Sequence, residues 1–215
     1  YWAGGMRRAF AAAMTGDYDY YLWINDDTHL DDGALDVLLD TECRLRAGGE
    51  GALIVAGSTR HPETGELTYG GVVQPYRWRP LKSVLVRPGD APRPCDTMNG
   101  NVALISRAVV QRVGNVDPAF VQQMADFDYG LRARAAGCSV WVAPGTVGTC
   151  ASEPKRCPGE RPLVEELRRL WSVKELKPGP WAVYSRRWAG LLVGIMLLLS
   201  LVRGAAAFGP QHAIA

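Results

Sequence analysis

The sequence predicts an α/β fold, a mostly parallel sheet sandwiched by helices. Helical and strand patterns alternate from the first residues, and the strand-like runs are short, aromatic or β-branched and lack helical periodicity. Polar clusters stand where those runs stop, and open α/β sheets bind ligands outside the carboxyl ends of their strands.

Met6 to Met14 are strong helix formers, closed by Gly16 and Asp17. Tyr20 to Ile24 has the composition of a strand buried on both faces and stops at Asn25-Asp26-Asp27-Thr28. From Asp31 to about Ala47, Leu35, Leu38, Leu39 and Leu45 describe one side of a helix, and Leu53 to Ala56 reads as the next buried strand. Gly57 to Pro94 changes to short β-prone runs broken by Gly and Pro, including Tyr69 to Val73 and Lys82 to Val86, a hairpin-like excursion over the sheet. Val102 to Ile105 is a further strand, and Ala108 to Val113 a short helix ended by Gly114. A longer helix follows from about Asp126 to Ala136 with Gly137 at its end, then a last strand, Ser139 to Ala143.

This defines a domain over residues 1–150. A Pro- and charge-rich helical linker follows over 151–180, then an apolar segment over 181–215. The run Trp188 to Val202 would span roughly 22 Å as a helix, against about 30 Å for a bilayer's hydrocarbon core. If Arg203 snorkels, Trp188 to Phe208 could just cross; otherwise the segment lies in the interface. Basic Arg186 and Arg187 before it favour attachment to the cytoplasmic side of a membrane, and a buried core helix is the alternative.

The 215 residues suffice for one full-sized core, and 47% hydrophobic with 21% charged side chains excludes wholesale disorder. A net charge of +2, from 24 basic and 22 acidic residues, leaves no polycationic surface for nucleic acid. The cysteines, Cys43, Cys95, Cys138, Cys150 and Cys157, form no C-x-x-C pair and read as reduced cytosolic thiols, with a Cys150–Cys157 disulfide as the alternative on an extracellular face.

Three clusters carry chemistry. Asp26 and Asp27 are adjacent carboxylates at a strand end, where a divalent cation bridging to a diphosphate would neutralise them; hard oxygen ligands suit Mg²⁺ or Mn²⁺. The same stretch could equally be an Asp-rich turn, with Thr28, Asp31 or Asp32 capping the next helix. In Asp96 to Asn101, the Asn99-Gly100-Asn101 loop offers backbone N–H groups and carboxamides to sugar hydroxyls, or is an ordinary Asn-Gly turn. Asp126 and Asp128 fall in the first turn of a helix, where its dipole favours their ionised forms and a carboxylate could take a proton from a hydroxyl. Helix capping and an Asp128–Arg132 pair is the plainer alternative.

Together, in this order and spacing, the three stretches resemble the bacterial glycosyltransferases of family two over roughly Trp2 to Cys150. Trp2 to Arg8 looks like that family's glycine-containing lead-in to the helix before the metal strand, Tyr20 to Thr28 like its metal strand, and Asp126 to Arg132 like its catalytic helix. The resemblance implies an inverting enzyme with a GT-A, Rossmann-like sheet, lacking here the first strands that hold the nucleotide base, hence N-terminally truncated. By position it implies Asp27 as main metal ligand with Asp26 assisting at the ribose or diphosphate, and Asp126 as the general base. Asn99, Gly100 and Asn101 would line the sugar side, with Asp128 and Arg132 also on the substrate side and Arg132 supporting the carboxylates. Asn25 replaces the first Asp of a D-x-D motif, Ala125 the usual Glu before the base, and Trp188 follows Arg187 where many relatives have a His nearby.

The function this implies is transfer of a sugar from a nucleotide-sugar donor to a glycan or lipid-linked hydroxyl acceptor, in cell-surface polysaccharide or glycolipid synthesis. It would occur in the cytoplasm at the inner face of the cytoplasmic membrane. The competing readings are a sugar-nucleotide nucleotidyltransferase and a non-catalytic, membrane-tethered carbohydrate-binding module.

Overall fold

The computed structural model describes residues 1–74, 83–151 and 178–188. Its main sheet has five strands in the order β1 (Tyr20–Ile24), β10 (Val102–Ser106), β3 (Leu53–Ala56), β11 (Ser139–Val142) and β8 (Arg93–Pro94). The sheet is mixed, which corrects the mostly parallel expectation: β3 and β11 pair in parallel, while β10 runs antiparallel to both β1 and β3, and β8 antiparallel to β11. The helix-strand alternation had a real basis, because β1, β3 and β11 all point the same way. What it could not reveal is that the chain, after its excursion beyond β3, re-enters between β1 and β3 in the opposite direction.

Alternation within the strands makes the sheet a two-faced wall, covered by helices on both sides as expected. On one face Tyr21, Trp23, Ile54, Ala103, Ile105, Val140 and Val142 pack with Phe10 of α1 (Trp2–Ala13), Val109 and Val110 of α3 (Arg107–Val113) and Tyr129 of α4 (Ala125–Ala135). On the other, Leu53, Val55, Val102 and Leu104 pack against Ala34 and Leu38 of α2 (Ala34–Ala47). The expectation that β1 is buried on both faces fails: Leu22 is 36% and Ile24 41% exposed. β1 ends the sheet, and α2 packs chiefly on β3, so the outer face of β1 is only partly covered. The Tyr20 hydroxyl still ties the two by donating to the buried Glu42 of α2 at 2.8 Å.

Strands of the excursion join β2 (His29–Leu30), β9 (Thr97–Met98) and β12 (Gly148–Thr149) in two small sheets. One is β2, β12, β4 (Thr59–Arg60) and β5 (Leu67–Tyr69); the other is β7 (Val84–Leu85), β6 (Gly71–Val73) and β9. In the first, the Arg60 guanidinium grips both carboxylate oxygens of Asp31 at 2.5 and 3.0 Å. A last helix, α5 (Pro178–Trp188), packs on the α4 side through the buried Tyr184 and the partly buried Val183 and Trp188. It straddles the expected boundary between linker and C-terminal segment. Most of the linker and all of the apolar run beyond Trp188, with Cys157, lie outside the described residues; Cys43, Cys95, Cys138 and Cys150 are free thiols. Among the described residues no helix is long and apolar enough to cross a membrane.

Candidate functional site

Strand direction brings the first two sequence clusters to one edge of the sheet. The carboxyl ends of β1, β3 and β11 and the amino end of β10 share one edge of the sheet, since Ile24 pairs with Val102, and Ala56 with both Ala103 and Val142. Asp26 and Asp27 leave that edge after β1, and Asn99, Gly100 and Asn101 approach it before β10.

Asp26 and Asp27 occupy an exposed turn closed by the Thr28 N–H donating to the Asn25 carbonyl at 3.1 Å. Neither carboxylate has an ion-pair partner among the described residues; Asp27 Oδ1 receives only the Cys150 thiol, at 3.6 Å. Two adjacent, solvent-facing carboxylates fit a hard divalent cation that completes its shell from a diphosphate. No third His, Cys, Asp or Glu joins them in a metal-holding group among the described residues. Cys150 is buried and links this turn to the glycine loop, accepting from Asn101 Nδ2 at 3.5 Å.

The glycine loop is more tightly held than an ordinary turn. Asn99 trades bonds with Gly70, its N–H to the Gly70 carbonyl at 2.9 Å and its Oδ1 from the Gly70 N–H at 3.3 Å. The Asn101 carbonyl accepts from the Asn25 N–H at 3.1 Å. Gly100 passes between the Trp2 indole and Asp126: a Cβ there would lie 2.4 Å from a Trp2 ring carbon and 3.4 Å from the Asp126 Cβ, so only glycine fits.

Asp126 sits one residue inside α4, whose start is marked by Met124 at φ 64°, the only non-glycine in the left-handed region among the described residues. Its Oδ2 accepts from the Gly100 N–H at 3.0 Å and its Oδ1 from the Phe127 N–H at 2.9 Å. Asp126 is half-buried as a residue and its carboxyl is densely surrounded; that burial raises its pKa, and the backbone donors only partly offset it. A carboxylate held this way is suited to accept a proton from a hydroxyl. α4 can lie this close to β9 because Gly130 has no side chain: a Cβ there would stand 2.4 Å from Thr97 Oγ1, which donates to the Phe127 carbonyl at 2.8 Å.

Asp128 and Arg132 occupy a different position. Asp128 is fully buried and spends its oxygens on protein donors: Oδ2 on Arg132 Nε at 2.8 Å, Oδ1 on an Arg187 nitrogen at 2.6 Å and on Trp188 Nε1 at 3.0 Å. The rest of the Arg132 guanidinium donates to the carbonyls of Val113 and Asn115. The plainer i to i+4 pair is therefore formed, and neither side chain lies beside the Asp26–Asp27 turn through any bond described.

Two contributors escaped the sequence. Trp2 is the junction of the site: Nε1 donates to Asn25 Oδ1 at 2.6 Å, its backbone N–H to Gln122 Oε1 at 2.7 Å, and its ring backs Gly100 and packs edge-on to Trp23. The other is the pair Arg187 and Trp188, in contact with Asp128 some sixty positions away (|i−j| of 59 and 60). Nothing in local pattern signals such contacts; the sequence marked Trp188 only as standing where many relatives have a His nearby.

No protein-family model and no curated protein matches the chain. Among solved structures it is similar to GalNAc-T7, crystallised with UDP, GalNAc and Mn²⁺, with a TM-score of 0.52 at 14% identity over 74% of this chain. The match spans 32% of the GalNAc-T7 chain. The likeness shows a glycosyltransferase-type fold.

Proposed function

We propose that this chain carries the metal-turn and acceptor side of an inverting, nucleotide-sugar-dependent glycosyltransferase. The observation that carries the reading is the pairing of two carboxylate stations at one sheet edge. The solvent-facing Asp26–Asp27 turn and the enclosed Asp126 are joined through Asn25, Trp2 and Gly100. GalNAc-T7, of similar fold, holds UDP, GalNAc and Mn²⁺, which supports the same class of ligands here.

A bound Mg²⁺ or Mn²⁺ would neutralise a diphosphate leaving group at Asp27 and Asp26. Asp126 accepts the proton of the acceptor hydroxyl through the oxygen lone pairs that Gly100 and Phe127 leave free. The hydroxyl oxygen then attacks the anomeric carbon from the side opposite the nucleotide, inverting it in one step. Asn99, Gly100 and Asn101 form the wall between the stations, and Asn101 and Cys150 hold the metal turn against it. Among the described residues β1 is an edge strand, and its backbone edge suits pairing with further strands of a nucleotide-binding half.

The acceptor is proposed as a glycan or lipid-linked hydroxyl in envelope polysaccharide or glycolipid synthesis, reached at the cytoplasmic membrane face. Arg186 is exposed, whereas Arg187 is committed to Asp117 and Asp128. Incubation with a panel of nucleotide sugars, Mn²⁺ and glycan or lipid acceptors tests the reaction: glycosylated product lost in Asp126→Asn supports it. Pyrophosphate exchange without glycosyl transfer would point to a nucleotidyltransferase, and sugar binding without turnover to a binding module.

A further inference from the structure

We infer that Arg187 and Trp188 of α5 are positioning residues for Asp126, acting through Asp128. The inference rests on the proposed role of Asp126 as base and adds how that base is held.

Asp128 has no accessible surface and its two oxygens face in different directions, Oδ2 into its own helix and Oδ1 onto α5. Three donors on one buried carboxylate satisfy it fully, which is the condition for keeping such a charge in a core. Arg187 uses its second nitrogen on Asp117 Oδ2 at 2.8 Å, so one guanidinium bridges two acidic side chains. Burial works against the Asp117 charge, but the Ala119 N–H and Arg187 win and hold its pKa below the ordinary value. Asp117, Asp128, Arg132 and Arg187 thus form a charge-balanced lattice. Through the Val113 and Asn115 carbonyls on Arg132, it braces the first turns of α4 against the end of α3 and against α5.

That brace matters because the start of α4 is strained. Met124, at φ 64°, is a non-glycine residue in the left-handed region, and such a conformation persists only where its surroundings over-determine it. The Asp128 N–H donates back to the Met124 carbonyl at 2.8 Å, which joins the strained residue directly to the braced one. Asp126 lies between them. Tyr184, one turn earlier on α5 and fully buried, accepts from Gln74 Nε2 at 2.7 Å and feels the charges of both Asp126 and Asp128, so α5 docks along the same side of the site.

Trp188→Phe removes one N–H and keeps the packing; Arg187→Lys keeps the charge and loses the two-armed bridge. The reporter is hydrogen exchange at the Gly100 amide, which is bonded to Asp126 Oδ2 and needs no substrate. Each variant should speed Gly100 exchange by about tenfold while the amides of β3 and β10 keep their protection. With an active donor and acceptor, kcat should fall while the donor KM stays near its original value. Unchanged Gly100 protection in both variants overturns the inference, and so does a rise shared equally by β3 and β10, which would mark general loosening. Failure to find any glycosyl transfer would sink the proposed function and leave the exchange result standing.

Discussion

The Gly100 N–H donates to Asp126 Oδ2 at 3.0 Å, and the Trp2 ring closes the other side of the same glycine. The base candidate is therefore oriented by a backbone donor from the loop that also leads into β10, and the spacing between loop and base is set by an indole with no room to spare. Gly100→Ala must push one of these walls aside, at about 1–3 kcal/mol for an overpacked contact. Thermal unfolding should show a lower midpoint, and exchange at the Trp2 indole N–H should rise as its 2.6 Å bond to Asn25 is disturbed. An alanine variant with unchanged midpoint and indole protection would show the loop to be looser than this.

Asp126→Asn should abolish transfer, because an amide cannot take the acceptor's proton. Its effect on stability has the opposite sign. A carboxyl whose pKa is raised on folding favours the folded state fully only below its unfolded pKa, and that contribution is lost as pH rises through the folded value. Above its raised pKa the ionised Asp126 therefore weighs against folding, and there Asn should raise the unfolding midpoint, the gain shrinking as the medium is acidified. For the same reason activity should fail on the acid side at a pH above the ordinary carboxylate range. An Asn variant less stable than the parent at pH 7 would mean that the lost backbone hydrogen bonds outweigh the burial.

Asp27→Ala should weaken Mn²⁺ binding in the presence of UDP while leaving the fold intact, since Asp27 is exposed and bonded only to the Cys150 thiol among the described residues. Electron paramagnetic resonance of free Mn²⁺ measures it directly, and a tenfold loss of affinity or more is expected for removal of a charged ligand (about 1.4 kcal/mol per tenfold). Equal affinity in both proteins would return the Asp26–Asp27 pair to a purely structural turn.

Acid should loosen the β2–β12–β4–β5 sheet, but only below the usual carboxylate range. The Arg60 hydrogen bonds hold the Asp31 carboxyl below its ordinary pKa, so the pair's contribution is present above the unfolded value and disappears as pH falls through the lowered folded one. The Asp31 N–H, bonded to the Val147 carbonyl at 2.9 Å, reports on the sheet by hydrogen exchange. Its protection should fall below the usual carboxylate range in the parent. In Arg60→Leu it should already be reduced at neutral pH, with little further dependence on acid.

The sequence by itself determined the elements and the residue types at the site. The continuous apolar run Val102 to Ile105 and the helical spacing of Leu38 and Leu39 are local signals, and they place a sheet against helices whatever the strand order, although Leu35, expected on the same stripe, is 48% exposed. The Asp26–Asp27 turn, the Asn99-Gly100-Asn101 loop and the first-turn acids of α4 were legible for the same reason: turn chemistry and helix starts are short-range. Tertiary structure decided the rest. The antiparallel insertion of β10 depends on where a long excursion returns, which no local period encodes, and it is this insertion that carries the glycine loop to the end of β1. Asp126 and Asp128 are two residues apart and look alike in the chain, yet one faces Gly100 and the other is enclosed by Arg132, Arg187 and Trp188. The helix turns by roughly 200° between them, and what waits on each side is set by contacts between distant segments.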